Sequence, residues 1–181
     1  MIAEVFLSSE EFAIIGTVNQ SFYVLSQPSY TYVYTPNSSP VLVFDSDSLT
    51  SAEVTASNNY FINTYPNATF VSDASGDYNC HSYAWYSSST SNIWWMNKDY
   101  LPYSYPGVKT YMNDGSYSRV YSAYQATRVF FDTEDHSMKI YDAYSNSIYN
   151  ATLISKWGPG PVMIHTLTYS PYDYSGYKMY S

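Results

Sequence analysis

The chain has 181 residues, a length that suits one domain with a sizeable core. Its net charge is −8 with only 7 Lys and Arg residues, so it lacks the cationic surface that nucleic acid or anionic lipid requires. No run approaches the ~20 apolar residues of a membrane span, and the acidic N-terminal sequence lacks the basic start of a signal peptide. The 24 tyrosines, with few charges, favour an extracellular or cell-surface setting.

Residues 1–48 are predicted to form a β-rich N-terminal extension. Three short apolar or alternating runs lie between turn-forming clusters of Pro, Asn and Ser. These runs are residues 22–25, 30–34 and 41–44. Asp45 and Asp47 resemble the start of a calcium loop, but the glycine and the distal glutamate of such a loop are missing. We therefore expect no metal and no other cofactor.

A helix is predicted at about residues 50–64. Thr50 and Glu53 have the spacing of a capping box, in which each side chain accepts a bond from the other residue's backbone N–H. Small and aromatic residues recur one turn apart, and Pro66 ends the segment. An extended link at 70–71 then leads to a second, shorter helix.

Cys80 is the only cysteine of the chain and is predicted to open this second helix. Asp77 and Asn79, just before it, are residue types that start helices. The positive end of the helix dipole lowers the pKa of a thiol in the first turn and so favours the nucleophilic thiolate. In addition, a single cysteine with histidines elsewhere in the chain is typical of enzymes with a cysteine nucleophile. The alternative is a buried packing residue. The polar neighbours Asn79, His81 and Ser82 favour the catalytic interpretation.

Residues 87–118 are predicted to form a long loop, of the kind that serves as a lid or a binding wall. The loop contains the aromatic pair Trp94 and Trp95. These two side chains either line a substrate groove or cover the core. In the first case they are substrate-binding residues.

From Ser118 onward the pattern predicts antiparallel strands bounded by turns. The predicted strands cover residues 128–132, 136–142, 148–149, 152–155 and 162–167. Two helices followed by such a meander indicate an α+β fold in which helices pack on an antiparallel sheet.

Three histidines are candidates for the base that activates Cys80. His81 follows the cysteine directly, so on a helix its side chain points about 100° away, and packing or capping near the site suits it better. His165 lies in the middle of a strand, where histidines are commonly structural. His136 opens a strand, where it can face a helix N-terminus, and is therefore the predicted base.

A cysteine at a helix start, a histidine at the head of a later strand and a polar residue on the next strand resemble the papain-like amidases of the NlpC/P60 and CHAP kind. Four segments also resemble a little-described bacterial group within this class. They are Tyr78–Tyr86, Asp114–Tyr117, Asp135–Ser137 and Ser155–Gly158.

The resemblance implies a role for each matching residue. Cys80 would be the nucleophile, His136 the base and later the acid, and Ser155 the group that orients the imidazole. The backbone N–H of Cys80, with help from Asn79 or His81, would hold the oxyanion.

The resemblance also implies that residues 49–181 form a papain-like (NlpC/P60-like) catalytic domain after the extension. The implied reaction is cleavage of an amide in a peptide or in peptidoglycan through an acyl-enzyme, without a metal. The alternative is a catalytically silent binding or adhesion module of the same fold, which would use tyrosine and tryptophan surfaces.

Overall fold

The computed structural model describes residues 28–97, 106–132 and 136–181. In these residues ten strands form two antiparallel sheets, one of three strands and one of seven, and helices pack beside them. This arrangement confirms the predicted α+β class. The strand predicted at 22–25 lies outside the described residues.

The smaller sheet joins the N-terminal extension to the rest of the chain. Its strands, in the order in which they pair, are β1 (Tyr30–Tyr34), β2 (Pro40–Phe44) and β4 (Trp95–Met96). Val33, Val41 and Val43 on its inner face share one core with Trp85. The predicted boundary at residue 48 therefore does not separate two cores.

The larger sheet has the strand order β3-β9-β8-β7-β6-β10-β5. Its strands are β3 (Thr69–Ser72), β5 (Arg119–Val120), β6 (Arg128–Phe131), β7 (His136–Ala143), β8 (Ala151–Lys156), β9 (Val162–Thr166) and β10 (Tyr177–Tyr180). The predicted hairpin is confirmed as β6 and β7. The strand predicted at 148–149 is wrong, because Ile148–Asn150 form a 3₁₀ turn in which the Ser147 hydroxyl accepts the Tyr149 N–H. Strand β10 was not predicted from the sequence.

The first predicted helix is confirmed as α1 (Ser51–Thr64), with Thr50 as its N-cap. The Thr50 N–H donates to the Glu53 carboxylate at 2.8 Å, and the Glu53 N–H donates to the Thr50 hydroxyl at 3.3 Å. Phe61 attaches the helix to the sheet by packing edge-on against Trp157, with the ring centroids 5.3 Å apart. A Cβ at Gly160 would lie 2.5 Å from the Phe61 ring, so this packing requires glycine there.

The second predicted helix is also present and is short. Cys80 and His81 form its first turn, and Ser82–Tyr86 continue it as a π-helix, with the Ser87 N–H donating to the Ser82 carbonyl. We call residues 80–86 the Cys80 helix. The loop predicted at 87–118 is wrong in part, since it contains β4 and a four-residue helix, α2 (Thr110–Asn113).

The strand register divides the larger sheet into two faces, because side chains alternate along a strand and paired residues share a face. Phe130 pairs with Ser137, and Phe131 pairs with His136. Phe130 packs in one core with Trp85 of the Cys80 helix, whereas Phe131 belongs to a separate core. The helix face carries Phe130, Ser137, Ile154 and Lys156. The opposite face carries Phe131, His136, Leu153, Ser155 and His165.

Candidate functional site

Asn79 caps the Cys80 helix and ties it to β4. Its Oδ1 accepts the Ser82 N–H at 3.1 Å and the Met96 N–H at 3.3 Å. Its Nδ2 donates to the Met96 carbonyl at 2.6 Å. Cys80 follows this cap and is 5% exposed. The amide that was predicted to help hold an oxyanion is therefore engaged in holding the helix.

Lys156 is a candidate site residue that the sequence analysis missed. It lies at the end of β8 on the helix face and is fully buried. Its Nζ donates to the carbonyls of Ser75 and Gly158, each at 2.9 Å, and to the carbonyl of Gly160. Three carbonyl acceptors match the three N–H bonds of an ammonium group.

The charge of Lys156 interacts with Cys80. Burial lowers the pKa of Lys156 to about 7, while the negative charges of Cys80 and Asp77 act in the opposite direction. The Nζ also lies 5.1 Å from the ring centroid of Tyr78, two residues before the cysteine. A nearby cation stabilises a thiolate. Lys156 is thus a described cation whose charge interacts with that of Cys80.

The predicted hydrogen-bonded pair of Cys80 and His136 is not formed. His136 is fully buried, and neither of its ring nitrogens has a hydrogen-bond partner among the described residues. It belongs to the opposite face, whereas the Cys80 helix packs on the helix face. Its ring stacks on Tyr172, with the centroids 3.5 Å apart. Burial lowers the pKa of His136 well below its usual value, with further lowering by the charges of the other two histidines.

Ser155 bonds to His165 and not to His136, so its predicted orienting role is not seen. The Trp157 indole N–H donates to Ser155 Oγ at 3.0 Å, and that oxygen lies 2.9 Å from His165 Nε2. His165 Nδ1 lies 2.9 Å from the Thr166 carbonyl, which only accepts hydrogen bonds. Nδ1 therefore carries the proton, and the serine hydroxyl donates to Nε2. Burial lowers the pKa of His165 to about 4. Both ring nitrogens of the buried His165 therefore have hydrogen-bond partners.

Ser137 forms a similar network on the helix face. The Trp85 indole N–H donates to Ser137 Oγ at 2.8 Å, and His81 Nδ1 lies 2.7 Å from the same oxygen. The His81 ring centroid lies 5.9 Å from that of Phe130. The buried His81 ring therefore contacts two residues of the sheet, Ser137 and Phe130.

An open groove of about 450 Å³ lies beside the segment that leads into the Cys80 helix. It is lined by residues 70–75 and 77–78 and by Thr90. The predicted groove residues Trp94 and Trp95 do not line it. Trp94 packs against the core of the smaller sheet. The Trp95 ring lies 6.5 Å from the Phe44 ring, on the outer side of that sheet.

Comparisons of the chain with protein-family models, with curated protein sequences and with solved structures found no match. In the part of the chain that the structure describes, no group of three or more His, Cys, Asp or Glu side chains is arranged to hold a metal ion. No helix in those residues is long and apolar enough to span a bilayer. The papain-like resemblance therefore stays a prediction.

Proposed function

We propose that the chain is a cysteine-dependent amide hydrolase in which Cys80 is the nucleophile and Lys156 is its charge partner. The observation that carries the proposal is a buried lysine whose charge interacts with that of the only thiol of the chain. A buried ammonium is costly unless nearby groups compensate for its lost hydration. Three carbonyls and a thiolate provide that compensation, and the same charge stabilises the thiolate relative to the thiol.

In the proposed reaction Lys156 acts through its charge, because its three N–H bonds are all donated to carbonyls. The Cys80 thiol loses its proton to water, and the ammonium stabilises the resulting thiolate. The thiolate attacks the amide carbonyl carbon, the leaving amine takes a proton from water, and a second water molecule hydrolyses the thioester to release the acid and restore the thiol.

The proposed substrate class is a peptide amide, with the cross-peptides of peptidoglycan as the first candidate. A cysteine that starts a helix packed on an antiparallel sheet supports a papain-like fold of the NlpC/P60 kind. The many exposed tyrosines support a location outside the cell or at its surface.

A silent binding module of the same fold is the second candidate. It is favoured by the placement of His136, which makes no hydrogen bond to a described residue, and by the commitment of Ser155 to His165. In that case the surface aromatic side chains would carry the function.

Release of new amines from a peptide library and from purified peptidoglycan tests the proposal. Cys80→Ala is expected to lower turnover by about 10³-fold or more, and Lys156→Met by about 10²-fold or more. Lys139→Met is the matched control, because Lys139 lies on the same sheet and donates to the Ser88 hydroxyl at 2.7 Å.

The three variants are compared with the wild type after near-ultraviolet circular dichroism has shown that each is folded. Full activity in folded Lys156→Met would contradict the charge pair. Absence of release by the wild type from both substrates would favour the silent module.

A further inference from the structure

The strand β3 is an edge of the larger sheet in the described residues, where it pairs with β9 alone. The open groove runs along this edge. Phe70 and Val71 are 38% and 45% exposed there, although both are apolar. An exposed edge strand presents backbone N–H and C=O groups to which an extended peptide can add as a further strand.

The pairing of β3 is irregular at the groove. Phe70 pairs with Met163 and Ser72 with Val162, so Val71 is an extra residue without a partner in the described register. A bulge of this kind leaves the backbone of the extra residue outside the ladder and re-aims its side chain. The irregularity accounts for the exposure of both Phe70 and Val71, two adjacent residues that a regular strand would turn to opposite faces.

Two carboxylates give the groove a negative charge. Asp73 accepts a bond from Asn58 Nδ2 at 2.8 Å, and Asp77 accepts one from the Ser75 hydroxyl at 2.6 Å. These bonds fix the carboxylates but use only part of their capacity, which is about four lone-pair sites each. None of the described residues that line the groove is cationic. Asp77 already interacts with the charge of Lys156, so the exposed Asp73 is the carboxylate that a cation in the groove meets.

We propose that this groove binds an extended peptide that carries an amino group. The peptide backbone pairs with β3, its apolar side chains contact Phe70 and Val71, and its cation lies at Asp73. The inference rests on the proposed function, because it names the substrate class of the Cys80 site. The groove is also lined by Asp77 and Tyr78, which precede Cys80 by three and two residues in the chain.

The test measures binding to the whole chain carrying Cys80→Ala, so that cleavage does not consume the probe. Three labelled seven-residue peptides of threonine and valine serve as probes. The first has one central lysine, the second has that lysine acetylated, and the third has alternate backbone nitrogens methylated. We expect the lysine peptide to shift the amide NMR signals of Phe70–Ser72. Methylation should weaken binding at least about tenfold, because the lost donors belong to the added strand.

The contribution of charge to binding is distinguished from that of backbone pairing by the acetylated peptide and by two matched protein variants, Asp73→Asn and Asp142→Asn. Acetylation should weaken binding about two- to fivefold, the scale of an exposed charge pair. Asp73→Asn should weaken binding of the lysine peptide by the same factor and leave binding of the acetylated peptide unchanged. Asp142→Asn on β7 should change neither. Equal binding of the methylated peptide, shifts away from β3, or no binding at millimolar concentration would each overturn the inference.

Its failure is distinguishable from failure of the hydrolase proposal. Binding at β3 by a chain whose wild type cleaves no peptide would leave this inference standing without the hydrolase. If the wild type cleaves peptides but the amide NMR signals of β3 do not shift, the hydrolase proposal would hold and the peptide-binding role of this groove would be wrong.

Discussion

The two faces of the larger sheet carry the same three residue types in the same bonding arrangement. The networks consist of Trp85, Ser137 and His81 on the helix face and of Trp157, Ser155 and His165 on the opposite face. In each, a buried indole N–H donates to a serine oxygen that also contacts an imidazole. Such a contact between serine and histidine is therefore part of the scaffold on both faces, and does not by itself mark a catalytic site.

What distinguishes the faces is the polar group that each adds to its network. The helix face adds Lys156, a buried amine whose three donors are all used and whose charge reaches Cys80. The opposite face adds His136, a buried ring that has no hydrogen-bond partner among the described residues. Buried polar groups usually find partners. The added polar group therefore has hydrogen-bond partners on the helix face and no described partner on the opposite face, and the candidate site belongs to the helix face.

The largest effect on stability is expected from removing either serine hydroxyl. Ser137→Ala or Ser155→Ala leaves an indole N–H and an imidazole nitrogen buried without their partner. At about 1–3 kcal/mol for each of the two groups that lose their partner, either variant should lower the free energy of unfolding by about 2–6 kcal/mol. Urea unfolding measures the loss. Ser91→Ala is the control, because its hydroxyl pairs with Ser89 at the surface. A loss below about 0.5 kcal/mol, as expected for the control, would show that a network is not structural.

The next effect is a loss of stability in mild acid. Burial lowers the pKa of His165 from 6.5 to about 4. The unfolded chain therefore binds this proton first, so stability falls as the pH drops below 6.5 and the loss is complete below about 4. A shift of this size corresponds to about 3 kcal/mol. His136 adds to the same loss, because burial lowers its pKa as well.

Urea unfolding at a series of pH values measures this dependence. His165→Phe should flatten the profile between about pH 6.5 and pH 5, above the range in which carboxyl groups titrate. An unchanged profile in the variant would contradict a neutral, buried His165.

Replacing His136 should give a smaller effect of the opposite sign. His136→Phe keeps a ring against Tyr172 and removes two buried nitrogens that lack described partners. We expect the free energy of unfolding to rise by about 1–2 kcal/mol, since an apolar group of similar shape removes the desolvation cost. His165→Phe, measured beside it at neutral pH, should lower stability. Destabilisation by His136→Phe would indicate that the ring makes a bond in solution.

Elements with local signals were predictable from the sequence. The capping box predicted the start of α1 at Thr50, and the alternation around residues 128–142 predicted the hairpin of β6 and β7. The missed elements depend on distant partners. Trp95–Met96 is a strand because it pairs with β2, and Tyr177–Tyr180 because it pairs with β5 and β6. Such pairs leave little trace in their own residues.

The candidate site could be predicted only in part, because side chains on a strand change face at every residue. Cys80 and its cap Asn79 were found from helix-start preferences. The strand that begins at His136 carries two adjacent polar residues, and the apolar Met138 shares the face of the first. That pattern was available, and it places Ser137 toward the helix. Lys156 was missed because a lysine before a Gly-Pro segment resembles the edge of a turn, whereas its spacing from Ile154 places it on the core side.

The smallest effect on the free energy of unfolding is expected for side-chain hydrogen bonds that are exposed to water, unlike those of the two buried networks. Thr50 and Glu53 exchange hydrogen bonds at the N-terminus of α1, and both are exposed. Thr50→Ala should lower the free energy of unfolding by about 1 kcal/mol, the usual contribution of an N-cap, because water replaces the lost partner. Thr55→Ala is the matched control in the same helix. Its hydroxyl donates to the Ser51 carbonyl at 2.8 Å, a contact that does not stabilise helices.

The cap also has a particular weight in this helix. In α1, all of which the structure describes, no residue is fully buried. Packing therefore contributes less than in most protein helices, and end effects contribute more. Urea unfolding of both threonine variants should show a loss for Thr50→Ala and a change within about 0.5 kcal/mol for Thr55→Ala. A loss at Thr50 as large as that for Ser137→Ala would contradict the distinction between exposed and buried networks, since the two sets of bonds differ mainly in their access to water.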